Sequence, residues 1–248
     1  MRILNAKCRV TLCCTLLFLL SATVLMADNL AYMTTETNQF GTIDLNTGVF
    51  SLRGILSVTY AGMVVESGKL FGADLHTGVG NLYTINPANG APTLVGASSL
   101  DIDTFGSTTG GMFAVGVDAN LYSINSSTGA ATLIGPTGIG FGSWRQLSNN
   151  ASALFYADGV NLYTINTSTG AATLVGSLGG QELGAMVEEG GILWGGQNTG
   201  GLFVDTVNPV TGLATEGAAV TGTTTAFYSL APDSVAVSPK LCAHFGVP

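Results

Sequence analysis

Leu82-Tyr83-Thr84-Ile85-Asn86-Pro87-Ala88-Asn89-Gly90 returns as Leu121-Tyr122-Ser123-Ile124-Asn125-Ser126-Ser127-Thr128-Gly129 and again as Leu162-Tyr163-Thr164-Ile165-Asn166-Thr167-Ser168-Thr169-Gly170. Two residues after each copy comes a second short string, Thr93–Gly96, Thr132–Gly135 and Thr173–Gly176. Weaker copies of the first string run from Phe40 to Gly48 and from Val204 to Gly212. The glycines that end the five strings, Gly48, Gly90, Gly129, Gly170 and Gly212, are spaced by 42, 39, 41 and 42 residues. A period of that length marks a chain built from one supersecondary unit that buries its faces only against its neighbours.

One period holds four short strands. In the second repeat they fall at approximately Ser57–Val65, Lys69–Ala73, Leu82–Asn86 and Pro92–Gly96, called A to D from the inside outward. The turn between C and D carries Asn at its start and Gly at its end, residues that tolerate positive φ. Strand C is apolar on both faces, with Leu82 on one and Tyr83 and Ile85 on the other, as a sheet packed on both sides requires.

The two ends of the repeat array are complementary. The N-terminal copy starts at strand B, Leu30–Thr34, without an A strand, and the C-terminal Ala226–Asp233 reads as an A strand with no blade after it. A ring in which the last strand completes the first sheet accounts for both fragments and leaves no exposed edge. The fold expected is all-β: a five-bladed β-propeller of four-stranded antiparallel blades spanning residues 28–234. A β-solenoid is the rival, and it would need two capping repeats instead.

The strings Leu82–Gly96, Leu121–Gly135 and Leu162–Gly176 resemble the repeats of secreted bacterial β-propeller proteins, many of them of unknown function. Gly41 and Asp205 depart from the pattern, which has Tyr at both places. The resemblance implies fold and export, and no reaction.

Export is also read from the residues. Arg2, Lys7 and Arg9 precede an apolar stretch from Val10 to Met26, with Ala27 before Asp28, the layout of a signal peptide over residues 1–27. The expected location is therefore secreted, periplasmic or cell-surface. Cleavage would remove Cys8, Cys13 and Cys14, leaving Cys242, in the tail of residues 235–248, without an intramolecular disulfide partner. It would also leave four basic side chains against fifteen acidic ones, a net charge of −11. Such a surface repels phosphate backbones and anionic membranes, so the expected partners are proteins, neutral glycans or cations.

In a propeller the D-to-A and B-to-C connections gather at one end of the ring. That placement would assemble Asp74, His76, Asp101, Asp103, Asp118, Asp158, Gln181 and Glu182 into an acidic rim. Asp101 and Asp103 are spaced to point to one side of a strand and are the candidate ligands for a cation such as Ca²⁺. Trp144 and Arg145, aligned with Tyr60 and Phe227, suggest a glycan site instead, with Asn81, Asn120 and Asn161 as polar partners. Hydrolysis of glycosidic bonds is a third reading, with Glu182 and Asp101 or Asp103 as its carboxylates. The only histidines are His76 and His244, so a histidine-rich metal centre is not expected. The favoured reading is a non-catalytic binding module whose rim residues are Asp74, His76, Asp101, Asp103, Trp144, Arg145 and Glu182.

Overall fold

The computed structural model describes residues 29–75, 77–140, 145–149 and 151–233. The signal-like segment, His76, Trp144, Cys242 and His244 lie outside them. All regular structure among the described residues is β-strand, arranged in a propeller-like way.

The first unit contains β1 (Leu30–Thr35), β2 (Gln39–Asp44) and β3 (Phe50–Ile55). The second is β4 (Tyr60–Glu66), β5 (Lys69–Asp74), β6 (Asn81–Ile85) and β7 (Pro92–Ala97). The third is β8 (Ile102–Thr108), β9 (Gly111–Gly116), β10 (Asn120–Ile124) and β11 (Ala131–Pro136). The fourth is β12 (Gln146–Asn149), β13 (Leu154–Ala157), β14 (Asn161–Ile165) and β15 (Ala172–Ser177). The fifth is β16 (Leu183–Glu189), β17 (Ile192–Gln197), β18 (Phe203–Val207) and β19 (Ala214–Ala219), after which comes β20 (Phe227–Pro232).

Each unit is an antiparallel meander, and β20 supplies the fourth strand of the first sheet, in the order β20-β1-β2-β3. Ala31 pairs with Pro232 and Thr34 with Ser229 in that added ladder. The fourth and fifth units share one eight-stranded sheet, joined by a short parallel pairing of Ser148 with Met186 and Asn149 with Val187. The innermost strand of the second repeat begins at Tyr60, three residues later than its sequence suggests. Ser57–Thr59 stay in the connection, where the Thr59 hydroxyl donates to Asn38 Oδ1 at 3.0 Å.

The two-faced strand C packs as its side chains require. Tyr83 and Ile85 join Tyr32, Phe40 and Tyr60 between the first and second units, while Leu82 joins Phe105 and Met112 between the second and third. Tyr122 and Ile124 face backward and Leu121 forward in the same way, as do Tyr163 with Ile165 and Leu162. A fifth cluster joins Ala185, Val187 and Trp194 of the fifth unit to Met33, Ile43 and Phe50 of the first and to Phe227 and Leu230 of β20.

Turn glycines have two functions here. Gly90 takes φ +78 and its N–H donates to the Asn86 carbonyl at 2.8 Å, which closes the C–D turn. The glycine that ends the second string is needed for a different reason, close approach of backbones. A Cβ on Gly96 would stand 2.0 Å from the Thr128 carbonyl oxygen of the next unit's turn. Gly135 meets Thr169 and Gly176 meets Thr211 in the same arrangement, so each outer strand receives the turn of the unit that follows. Between the fifth and first units the turn at Gly48 lies against Ala219, and Phe50 N–H donates to the Thr221 carbonyl at 2.9 Å.

Candidate functional site

In a meander, alternate connections fall at opposite ends of the sheet. The β5–β6, β9–β10, β13–β14 and β17–β18 turns therefore share one end with the connections that lead into β8, β12, β16 and β20. This end carries the candidate residues.

Three of its carboxylates are engaged by their own turns. Asp74, buried at the end of β5, accepts from Asn81 N–H at 2.5 Å, from Asn81 Nδ2 at 2.8 Å and from the Thr77 hydroxyl at 3.1 Å. Asp118 accepts from Asn120 N–H, Asn120 Nδ2 and the Tyr122 hydroxyl at 3.1, 2.7 and 2.6 Å. Asp158 accepts from Val160 and Asn161 N–H at 3.0 and 2.7 Å and from the Tyr163 hydroxyl at 2.9 Å. In the third and fourth repeats the Asp, Asn and Tyr thus form a staple that fixes the B–C turn, and in the second Asn81 and Thr77 hold Asp74. Partial burial raises the Asp118 carboxyl, but the donors from Tyr122 and Asn120 outweigh it and hold the group below its usual range.

Asp101 and Asp103 do not act as a pair. Asp101 precedes β8 and accepts from Gly78 N–H at 3.3 Å. Asp103 sits at a β-bulge, where the register slips between Ile102 and Thr104, so strand alternation no longer relates it to Asp101. Its carboxylate meets the Arg145 guanidinium at 2.5 Å, with the two side chains only 7% and 10% exposed. Among the described residues no group of three or more His, Cys, Asp and Glu is placed to hold a metal ion. Glu182, just before β16, accepts from the Thr199 hydroxyl at 3.0 Å. Tyr60 and Phe227 are core residues, 1% and 0% exposed, and offer no ring face to a sugar.

The Asp103–Arg145 pair is flanked by two tyrosines that sequence reading did not single out. Burial raises the Tyr156 hydroxyl, and Arg145, which hydrogen-bonds it, opposes that shift. Burial, with Glu36 and Asp103 nearby, raises Tyr228 on β20 as well. No motif spacing points to them, because they approach from different units. The arrangement is a largely buried guanidinium–carboxylate pair between the buried Tyr156 and the partly exposed Tyr228, offering donors and acceptors to a polar ligand that reaches it. Two clefts, of about 340 Å³ between Phe155 and Val207 and about 290 Å³ beside Glu66 and Phe113, open at the opposite end of the sheets.

No protein-family model and no curated protein sequence matches the chain. Solved structures do. A structural-genomics protein of unknown function from Bacteroides thetaiotaomicron is similar with a TM-score of 0.60 and 15% identity, over 83% of this chain and 62% of that one. The likeness is one of fold alone. The chain thus spans about three fifths of that protein's length. Glutaminyl cyclase from Myxococcus xanthus aligns more loosely, with a TM-score of 0.45 and 13% identity over 82% of this chain and 74% of its own. BamB from Moraxella catarrhalis aligns with a TM-score of 0.34 and 15% identity over 75% and 60%. Among the described residues no helix is long and apolar enough to cross a membrane.

Proposed function

We propose that this chain is an exported five-bladed β-propeller, closed by its C-terminal strand, that acts as a non-catalytic binding module through the end bearing Asp103 and Arg145. Support for five blades and closure comes from the pairing of β20 with β1 and from the apolar cluster joining the fifth unit to the first. The ion pair itself carries the functional reading. A charged pair whose side chains are only 10% and 7% exposed costs desolvation that a purely structural role repays poorly. The partner is a protein or a neutral glycan that exchanges hydrogen bonds with the pair and with Tyr228. Hydrolysis has less support, because Asp103 is neutralised by Arg145 and Glu182 is hydrogen-bonded to Thr199. A cation at Asp101 and Asp103 is likewise less favoured, since the two carboxylates face different partners.

The test is a thermal-shift screen of the chain from Asp28 onward against oligosaccharides, divalent cations and chelator, because any ligand of the folded state raises its apparent stability. The expected result is a rise in Tm with an oligosaccharide that is lost in Arg145→Gln. A rise with Ca²⁺ reversed by chelator would replace this reading with the cation site. A response to neither would leave a protein partner, to be sought by cross-linking at the same end. Export is tested separately, by whether the extracellular or periplasmic protein begins at Asp28.

A further inference from the structure

The fifth unit breaks the repeat at one buried position. Where β6, β10 and β14 have Tyr83, Tyr122 and Tyr163, β18 has Asp205, which is 0% exposed. No side chain donates to its carboxylate, and the group that approaches it is the backbone N–H of Gly217 on β19. In the third and fourth units the turn aspartate lies at the sheet's end and the tyrosine hydroxyl reaches up to it. Here the residue after β17 is Asn198, whose side chain is bound to Phe227 of β20, with Asn198 Nδ2 donating to the Phe227 carbonyl at 3.0 Å and Phe227 N–H donating to Asn198 Oδ1 at 2.9 Å. Asp205 is left in the sheet with no counterpart.

Its surroundings do not favour a charge. Asp205 pairs with Gly195 of β17 and lies on the same face as Val207, which packs with Phe155, Leu162, Leu183 and Leu193 between the fourth and fifth units. β17 carries no titratable side chain, that apolar cluster carries none, and β18 has no other. β19 contributes Glu216, a like charge that disfavours ionisation further, and a backbone hydrogen bond from Gly217, which offsets the burial only in part. Burial first, then Glu216, pushes the carboxyl up to about 6.

The position matters because of what β19 leads to. The strand ends at Ala219, and Thr221, two residues on, bridges to Val49 and exchanges backbone hydrogen bonds with Gly48 and Phe50 of the first unit. β20 follows and completes the first sheet. We infer that Asp205 is a pH-sensitive latch: protonated, it lets the fifth unit pack fully, and ionised, it loosens the β18–β19 edge beside the junction of the last and first units.

The direction follows from linkage. An acid whose folded-state value is raised contributes no penalty below the unfolded value near 4, and the folded state loses stability as pH rises from there to about 6, with a constant deficit above. Thermal unfolding of the wild-type chain and of Asp205→Asn, followed from pH 4 to pH 8, reads this directly. The amide variant is expected to gain roughly 5–10 °C over wild type across that range, with the difference appearing between pH 4 and pH 6.5. Amide-exchange protection, corrected for intrinsic rates, is expected to drop in residues 203–221 of wild type at pH 8 and not in the variant. Parallel melting profiles, or a loss of protection shared equally by all units, would overturn the latch. If the variant fails to fold, carboxyl-carbon NMR of the wild-type chain decides the matter: titration of Asp205 below pH 4.5 would overturn it too.

Discussion

A methyl group on Gly96 would stand 2.0 Å from the Thr128 carbonyl, whereas one on Gly68, in an open turn at φ +71, would touch nothing within 4 Å. The two glycines look alike in sequence and are held for opposite reasons, contact in one case and conformation in the other. Gly96→Ala is expected to cost about 1–3 kcal/mol or more, because backbone must move. Gly68→Ala should cost about 1 kcal/mol, from the left-handed conformation alone. Chemical denaturation of both variants distinguishes the two. Asp118 makes a second residue-scale prediction. Its folded-state carboxyl is depressed, so its contribution is present above the unfolded value near 4 and is lost as pH falls through the lower folded value. Tyr122→Phe should remove part of that acid-side dependence. Its effect at neutral pH is on the order of 0.5 kcal/mol, since the staple is exposed to solvent.

At the scale of elements, the inner strands are joined mostly by side chains reaching backbone. Met63 N–H donates to Ser229 Oγ at 2.7 Å, Leu147 N–H donates to Thr104 Oγ1 at 3.0 Å, and the Asn149 amide donates to the carbonyls of Leu230 and Met186. Asn149 therefore ties β12 to both β16 and β20. Asn149→Ala is expected to lose about 1–3 kcal/mol, measured by urea unfolding, because two buried carbonyls lose their donor. The outer strands contribute differently. Arg53 on β3 lies 5.4 Å from the Tyr32 ring centroid, 3.8 Å from Asp233 and 2.9 Å from the Pro87 carbonyl, so one side chain touches the closing segment and the second unit together. The pair is partly exposed, and Arg53→Ala should cost only about 0.5–1 kcal/mol. The boundaries of these elements were partly legible in the sequence. Strand C and its turn fell within a residue of the pattern, whereas the start of β4 and the bulge at Asp103 did not, because a bulge and a strand's first residue depend on what the neighbouring strand offers.

For the molecule as a whole, stability rests on apolar clusters between consecutive units and on β20. Without β20, β1 would expose an unpaired edge, and the cluster around Met33, Trp194 and Leu230 would lose one wall. A chain ending at Thr225 is expected to lose cooperative thermal unfolding and to aggregate, as read by calorimetry and light scattering. Retention of a sharp transition near the full chain's Tm would show that the first sheet stands without its fourth strand.

The sequence by itself determined the repeat length, the turns, the two-faced third strand and the complementarity of the two ends. Each of these is a local regularity, set by residue types that tolerate a turn or bury a face, and each recurs several times along the chain. The tertiary structure alone decided the partners of single residues. It placed Arg145 on Asp103 across 42 positions, assigned Asp74, Asp118 and Asp158 to their own turns, buried Tyr60 and Phe227, and left Asp205 without a side-chain donor. Such pairings occur once each, between strands whose separation in sequence is fixed only when the units pack, so no period or spacing announces them.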